Sequence, residues 1–343
     1  MTLHSAVVLF VYNRIAYLPA ILDRIRTRRP SKLYIFGDGP KDDPEDRARC
    51  AAVRGLIAGL EFPFAVELVF EPDNIGLYRR LVSGIDSVFA REERAIFLDD
   101  DVELSQSFFP FCDWLLDVYE REERVAMISG INPFSSWPTA GATCFFSKLG
   151  NAQAWATWRR AWRFYSGAPD LWLRPETKAL IAAFLNDPEL FAWRAEINER
   201  ATSSEPHTWD FQWMLARHAR QMLSVVPAKS LAIHRGRGPL AIHVKTRTVL
   251  DVIAERHEIE PPFQAPRSIA SDDAFDRLYF EATQNRLKPR SAQWLAQQLM
   301  MRGHNLLAAA LLRHSLANRP SDPTTVALIK EAIVSAQARS ARE

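Results

Sequence analysis

Three adjacent carboxylates, Asp99-Asp100-Asp101, directly follow the apolar run Ala95-Ile96-Phe97-Leu98. Neighbouring carboxylates repel one another, so a folded chain must compensate them with a cation or with hydrogen bonds. Hard oxygen donors of this kind suit Mg²⁺ or Mn²⁺, which commonly bridge one or two carboxylates to a diphosphate. A solvated acidic loop is the plainer reading, but the end of a buried strand is the wrong place for one. An EF-hand loop starting at Asp99 would need Gly at its sixth position and Glu at its twelfth; the chain has Leu104 and Pro110 there. A phosphatase-type aspartate nucleophile finds no second acidic cluster or lysine signature to support it.

Other polar groups have the same kind of placement. Tyr12-Asn13-Arg14 follows the apolar run Ala6–Val11, and Gly37-Asp38-Gly39-Pro40 ends the run Lys32–Phe36. Asp210 sits between Trp209 and Phe211, where burial would raise its pKa unless it has a partner. It also stands where an Asp could cap a helix, before the amphipathic run that follows. The stretch Leu231-Ala232-Ile233-His234-Arg235-Gly236-Arg237-Gly238, with His243 beyond it, adds two imidazoles and two guanidinium forks. Arg235 and Arg237 have the shape to clamp phosphate oxygens.

The elements needed to position these groups are legible from periodicity. Strands are expected at Ala6–Val11, Lys32–Phe36, Phe64–Phe70 and Arg94–Leu98, with helices at Tyr17–Arg28, Asp46–Leu60 and Leu77–Phe89 between them. This alternation predicts an α/β fold with a mostly parallel sheet and helices on both faces. Ligands in such sheets bind beyond the carboxyl ends of the strands, where Tyr12–Arg14, Asp38 and Asp99–Asp101 all fall. From about residue 130 to 245 the pattern is less regular, and seven of the ten tryptophans lie between residues 155 and 213. Residues 251–270 read as a linker or wrap-around segment, and residues 271–343 as a helical extension.

Composition excludes several classes. The chain has 343 residues, with 43 Lys plus Arg against 41 Asp plus Glu, a net charge of +2. That balance lacks the basic footprint of a general nucleic-acid binder. No apolar run approaches the roughly 20 residues that cross a bilayer, and no signal peptide is expected. Cys50, Cys112 and Cys144 are odd in number and widely spaced, which argues against a disulfide framework or a zinc knuckle. The expectation is a cytoplasmic protein.

Six segments together resemble a bacterial glycosyltransferase of the GT-A fold, family 2-like. They are VVLFVYNR (7–14), FGDGP (36–40), NIGLYRRLVSGI (74–85), IFLDDDVELSQSFF (96–109), WATWRRAW (155–162) and TWDFQW (208–213), in the family's order. Within that group the chain looks closest to hemolytic-protein-like sugar transferases, distantly similar to the N-acetylglucosaminyltransferase I type. The resemblance implies a Rossmann-like GT-A domain over residues 1–250, a nucleotide-diphosphate sugar donor (a UDP-sugar first) and a Mn²⁺ or Mg²⁺ ion. Tyr12, Asn13 and Arg14 would then line the nucleotide pocket, Asp38 would meet the base, and Arg79 or Arg80 would neutralise phosphate. Asp99, where the family usually has Glu, and Asp100 would hold the ribose side, and Asp101 would ligate the metal. His243 matches the family's other ligand position, while His234 replaces the family's Asn. Asp210, in the family's WD-[YFD]-x-W motif, would be the base that deprotonates the acceptor. Trp155 and Trp158, on one face of a helix with Arg159 alongside, would lie near the sugar; Ala154 replaces the usual Gly before them.

Residues 289–322 match one tetratricopeptide-like repeat at Leu295, Ala296, Leu299, Ala308, Leu312, Ser315 and Pro320. One repeat cannot bury its apolar face alone, so the pair is expected to pack on the transferase domain or to form a homo-oligomer. The function so implied is metal-dependent inverting transfer of a hexosyl or N-acetylhexosaminyl group, as in polysaccharide biosynthesis. The acceptor hydroxyl would belong to a glycan, a lipid-linked saccharide or a protein, the lipid-linked case requiring peripheral contact with the inner face of a membrane. Two alternatives stand beside it: a sugar nucleotidyltransferase, which would want a Gly-rich loop where Phe10–Arg14 has no glycine, and a degenerate domain that binds partners.

Overall fold

The apolar run Ala6–Val11 forms β1, buried along its whole length because helices cover both faces of the sheet. The computed structural model describes residues 2–167, 170–202, 208–236, 249–284, 287–302, 304–317 and 323–340. The chain divides into one unit of Met1–Lys245 with Glu255–Asp272 and another of Thr246–Ala254 with Asp273–Glu343.

In the first unit β1 is followed by α1 (Leu18–Arg28), β2 (Leu33–Gly37), α2 (Pro44–Ala58), β3 (Val66–Phe70), α3 (Leu77–Phe89) and β4 (Arg94–Asp99). Next come β5 (Val102–Leu104), α4 (Phe108–Val118), β6 (Val125–Ser129), β7 (Cys144–Ser147), β8 (Ala154–Trp158), α5 (Arg159–Trp162) and α6 (Asp170–Leu173). The unit continues with α7 (Pro175–Leu185), α8 (Pro188–Thr202), α9 (Asp210–Ala219), β9 (Leu223–Pro227) and β10 (Ala232–His234). Eight strands make one sheet in the order β3-β2-β1-β4-β8-β6-β9-β7, and β10 pairs with β5 in a separate ribbon. β8 and β7 run against the other six strands. This is the expected α/β class with a mostly parallel sheet.

The strands and helices up to β4 fall where periodicity puts them, with small differences at the ends. α2 begins at Pro44 rather than Asp46, because the Asp43 carboxylate accepts from the backbone N–H groups of Glu45 and Asp46, and Pro44 suits the first helical position. The expected helix carrying Trp155 and Trp158 is instead strand β8, antiparallel to β4 with Phe97 opposite Trp155. A spacing of three residues therefore puts the two indoles on opposite faces of the sheet. Trp158 donates its indole N–H to the Leu116 carbonyl at 3.0 Å on one face, and Trp155 packs on Phe97 on the other. Arg159 is held at the far end of β4, donating to the Glu92 carbonyl and pairing with Glu93.

Of the stretch 251–270, expected as a linker or wrap-around segment, the residues from Glu255 onward pack on the first unit. The Glu258 carboxylate accepts from the backbone of Gln106 and Ser107 and from the Ser107 hydroxyl, and the Phe263 ring meets Phe111 and Trp114. Residues 249–253 group with the helical unit.

That unit contains α10 (Val249–Ile253), α11 (Asp273–Thr283), α12 (Pro289–Met301), α13 (Asn305–Ala317) and α14 (Pro323–Ser340). Leu295, Ala296 and Leu299 of α12 and Ala308 and Leu312 of α13 are fully buried, and the small alanines let the pair approach. Pro320 lies outside the described residues. Buried Glu281 accepts from Arg277, from the Lys288 N–H and from the Ser291 hydroxyl, tying α11 to the start of α12. Among the described residues no helix is long and apolar enough to cross a membrane. The three cysteines are free and buried.

The last turn of α9 buries His218 completely, with its Nε2 2.9 Å from the Lys148 carbonyl. Burial, reinforced by the charges of Arg194 and Arg217, pushes the imidazole well below its ordinary value of 6.5. The unfolded chain takes up this proton as pH falls through that value and the folded chain does not, so acid destabilises. The expected loss approaches about 1.4 kcal/mol per pH unit below about pH 6. Urea titrations across that range should show His218→Gln with a slope shallower by this amount.

Candidate functional site

The sheet order puts β1 beside β4 while the chain leaves β1 toward β2, so the crevice at their carboxyl ends is the switch point of the fold. The three aspartates end β4 there, and each is compensated differently. Asp100 turns back into the sheet and accepts the Tyr12 backbone N–H at 2.9 Å, locking the two strand ends together. Burial, then the charge of Asp101, pushes its carboxyl up to about 7. Asp99 is raised well above the usual range, first by burial, then by Asp101 and Asp100, with Asp210 adding to the effect.

Asp101 is the opposite case. Burial alone would raise it, but His234 and Arg14 outweigh burial and hold it below the usual carboxylate range. Arg14 pairs with its Oδ2. Oδ1 is sealed from solvent without a hydrogen bond, 3.2 Å from His234 Nε2. The β5–β10 ribbon brings this imidazole in: His234 lies opposite Val102, and the Arg235 N–H donates to the Asp101 carbonyl. Gly236 follows so closely that an added Cβ would lie 2.1 Å from Asp101 Oδ2 and 2.7 Å from His234 Nε2. A buried carboxylate oxygen, the imidazole nitrogen that faces it and a backbone cradle form a donor set that fits a divalent ion. Among the described residues no group of three or more acidic, His or Cys side chains forms a metal cluster. His243, expected as the partner of Asp101, and Arg237 lie outside the described residues. Arg235, read as a phosphate clamp, is held by Glu103 at 2.9 Å.

The loop after β1 is organised by a residue that periodicity marks only as a helix start. Buried Asp46 accepts from the Tyr12 hydroxyl and the Asn13 amide, both at 2.5 Å, and from the Lys41 N–H at 2.8 Å. Burial would raise Asp46, but these donors and Arg49 hold it below the carboxylate range. Tyr12 and Asn13 therefore hold the loop after β1 with their hydroxyl and amide already engaged.

Asp38, expected to meet a nucleotide base, has a different task. Its two oxygens accept from the N–H groups of Gly39, Ile75 and Gly76 and from the Asn74 amide, at 2.8–3.1 Å. With its acceptor positions filled, Asp38 anchors the loop before α3, and the base contact is corrected to a positioning role. Gly39 is required because a Cβ there would lie 2.1 Å from the Asp73 backbone. Arg80 is buried against Glu71 and Phe36, which leaves Arg79 as the exposed cation of the pair.

Asp210 is the first residue of α9; Trp209 occupies the capping position. Asp210 is half-buried, accepts from the Thr208 hydroxyl and acts electrostatically on Asp99 and Arg194. The indoles on either side of it fix the helix start. Trp209 stacks on Trp155 at 5.2 Å, and Trp213 meets Trp155 at 6.1 Å and Trp162 at 5.2 Å. Trp155 stacks in turn on Phe97 of β4 at 4.8 Å. Only 2% exposed, Trp155 is the packing link between Asp210 and the aspartate cluster, which replaces its expected place against a sugar.

No protein-family model matches the chain, and no curated protein matches it either. Among solved structures, a mannosyltransferase from Pyrobaculum calidifontis in complex with GDP-Man and Mn²⁺ is similar at 15% identity, over 99% of this chain and 87% of that one, with a TM-score of 0.36. A mannose-1-phosphate geranyltransferase from Thermus thermophilus is similar at 12% identity, over 67% and 75% of the chains, with a TM-score of 0.33. Likenesses this loose carry no argument about function, which rests on the chain's own residues.

Asp46→Ala would strip partners from the Tyr12 hydroxyl, the Asn13 amide and the Lys41 N–H together. It should lower unfolding free energy by about 2–4 kcal/mol, whereas Arg79→Ala on the exposed face of α3 should stay within about 0.5 kcal/mol. Urea denaturation of both variants checks this.

Proposed function

We propose that the chain is a metal-dependent, inverting glycosyltransferase of the GT-A type, using a nucleotide-diphosphate sugar with UDP-sugars as the first candidates. The observation that carries the reading is the joint placement of Asp101 and His234 in the switch-point crevice, with Asp210 acting on Asp99 beside them. Asp101 and His234 would hold a divalent ion, which when bound supplies charge neutralisation for the diphosphate leaving group. Arg14 stands over the same carboxylate, and its guanidinium suits phosphate oxygens. Asp210 accepts the proton of the acceptor hydroxyl as that oxygen bonds to the anomeric carbon. The bond from that carbon to the phosphate oxygen breaks, and its electron pair leaves with the nucleoside diphosphate. The tryptophan stack holds Asp210 against displacement, which matters because small errors in the position of a base are costly.

A thermal-shift screen of UDP-, GDP-, CMP- and dTDP-sugars, with and without Mn²⁺, tests the donor half. One donor should stabilise the wild type only with Mn²⁺, and Asp101→Asn should lose that shift. Asp210→Asn should keep the shift and lose transfer by about 10²-fold or more. Equal loss of donor binding in Asp210→Asn would remove it from the base role. Absence of any nucleotide-sugar binding would favour a partner-binding protein.

A further inference from the structure

We infer that Arg194 anchors an oxyanion subsite beside Asp210 that receives a phosphate or carboxylate group carried by the acceptor. The inference rests on Asp210 being the acceptor-side base, as proposed above. Arg194, on α8, is 1% exposed, and its Nε and Nη2 are sealed from solvent without a hydrogen-bond partner. Among the described residues it forms no ion pair, Trp193 lies under its guanidinium, and Asp210 is the acidic group that acts on it. One turn further along α8, buried Asn198 leaves its Nδ2 unpartnered, and buried Trp172 of α6 leaves its indole N–H unpartnered. Gln212 of α9 contributes one unpartnered acceptor, Oε1. The helices α6, α8 and α9 pack on one another.

Buried polar groups in a folded chain are almost always paired, and an uncompensated buried cation is among the most costly exceptions. Here the unpartnered atoms are mainly donors, on three helices that pack on one another, one of which begins at Asp210. A planar guanidinium with an amide and an indole N–H is a donor set for an oxyanion, not for a neutral sugar face or a metal. Burial pulls the guanidinium down to about 10, against the opposing charge of Asp210, so Arg194 is still a cation at neutral pH. An anion bound there would place the acceptor's own charge within reach of Asp210, selecting acceptors by a feature distant from the donor.

The test is a thermal-shift and calorimetric titration of the full chain with inorganic phosphate, and separately with glucuronate, in the absence of metal and donor. The wild type should be stabilised by one of the two anions, and which one assigns the group. Arg194→Met should melt higher than wild type without anion, because an unpaired buried charge is gone, and bind the anion about tenfold or more weakly. Asn198→Ala should also bind it more weakly, which keeps the test open if Arg194→Met fails to fold. Saturation with a nucleoside diphosphate and Mn²⁺ should leave the anion shift in place. Anion binding unchanged in both variants, no binding of either anion, or displacement by the nucleotide would overturn the inference. Because the titration uses no donor, its failure leaves the transferase reading intact. Failure of donor binding alone would remove the assignment to an acceptor and leave the anion site.

Discussion

Three carboxylates in a row at the end of a buried strand are an electrostatic problem, and the architecture around the crevice is its solution. Asp100 is satisfied by the Tyr12 backbone N–H, so the link between β1 and β4 is part of the compensation. Asp101 is stabilised as an anion by Arg14 and His234, which draws in the loop after β1 and the β5–β10 ribbon. Asp99 keeps the residual cost, as its raised pKa shows. One cluster of like charges thereby fixes the relative positions of three chain segments.

The same cluster is held on its other side by aromatic packing. Phe97, one residue before Leu98 in β4, carries Trp155, and Trp155 carries Trp209. Stacked indoles are rigid and bury large areas, so the start of α9 is registered to the end of β4. Asp210 inherits its position from that stack. A half-buried carboxylate on a well-supported helix start differs from one on a loop, because its orientation is set before any ligand arrives.

The carboxylates also separate by how far their surroundings engage them. Asp38 and Asp46 are buried and fully engaged by backbone and side-chain donors; each closes a loop. Asp101 is met by the side chains of Arg14 and His234, and Asp210 is engaged by one described hydroxyl while remaining half-buried. Equal residue types thus do unequal work according to how many donors their surroundings supply.

The order of strands and helices through β4 was legible in the sequence, as were the ends of strands where polar groups gather, because both follow from local periodicity and turn chemistry. The aspartate cluster and Asp210 stood out for the same reason: charged residues in apolar company. Local pattern could not decide between helix and strand for Trp155–Trp158, since a short aromatic-rich run suits either, and only pairing with β4 settles it. Nor could it bring His234 to Asp101, because that contact depends on the register of a ribbon between segments far apart in the chain. Asp46 and Arg194 are ordinary residues in sequence, and what sets them apart is what the fold brings to them or withholds. Periodicity reports which face of an element is buried; which donor meets which acceptor is fixed only when distant elements close on one another.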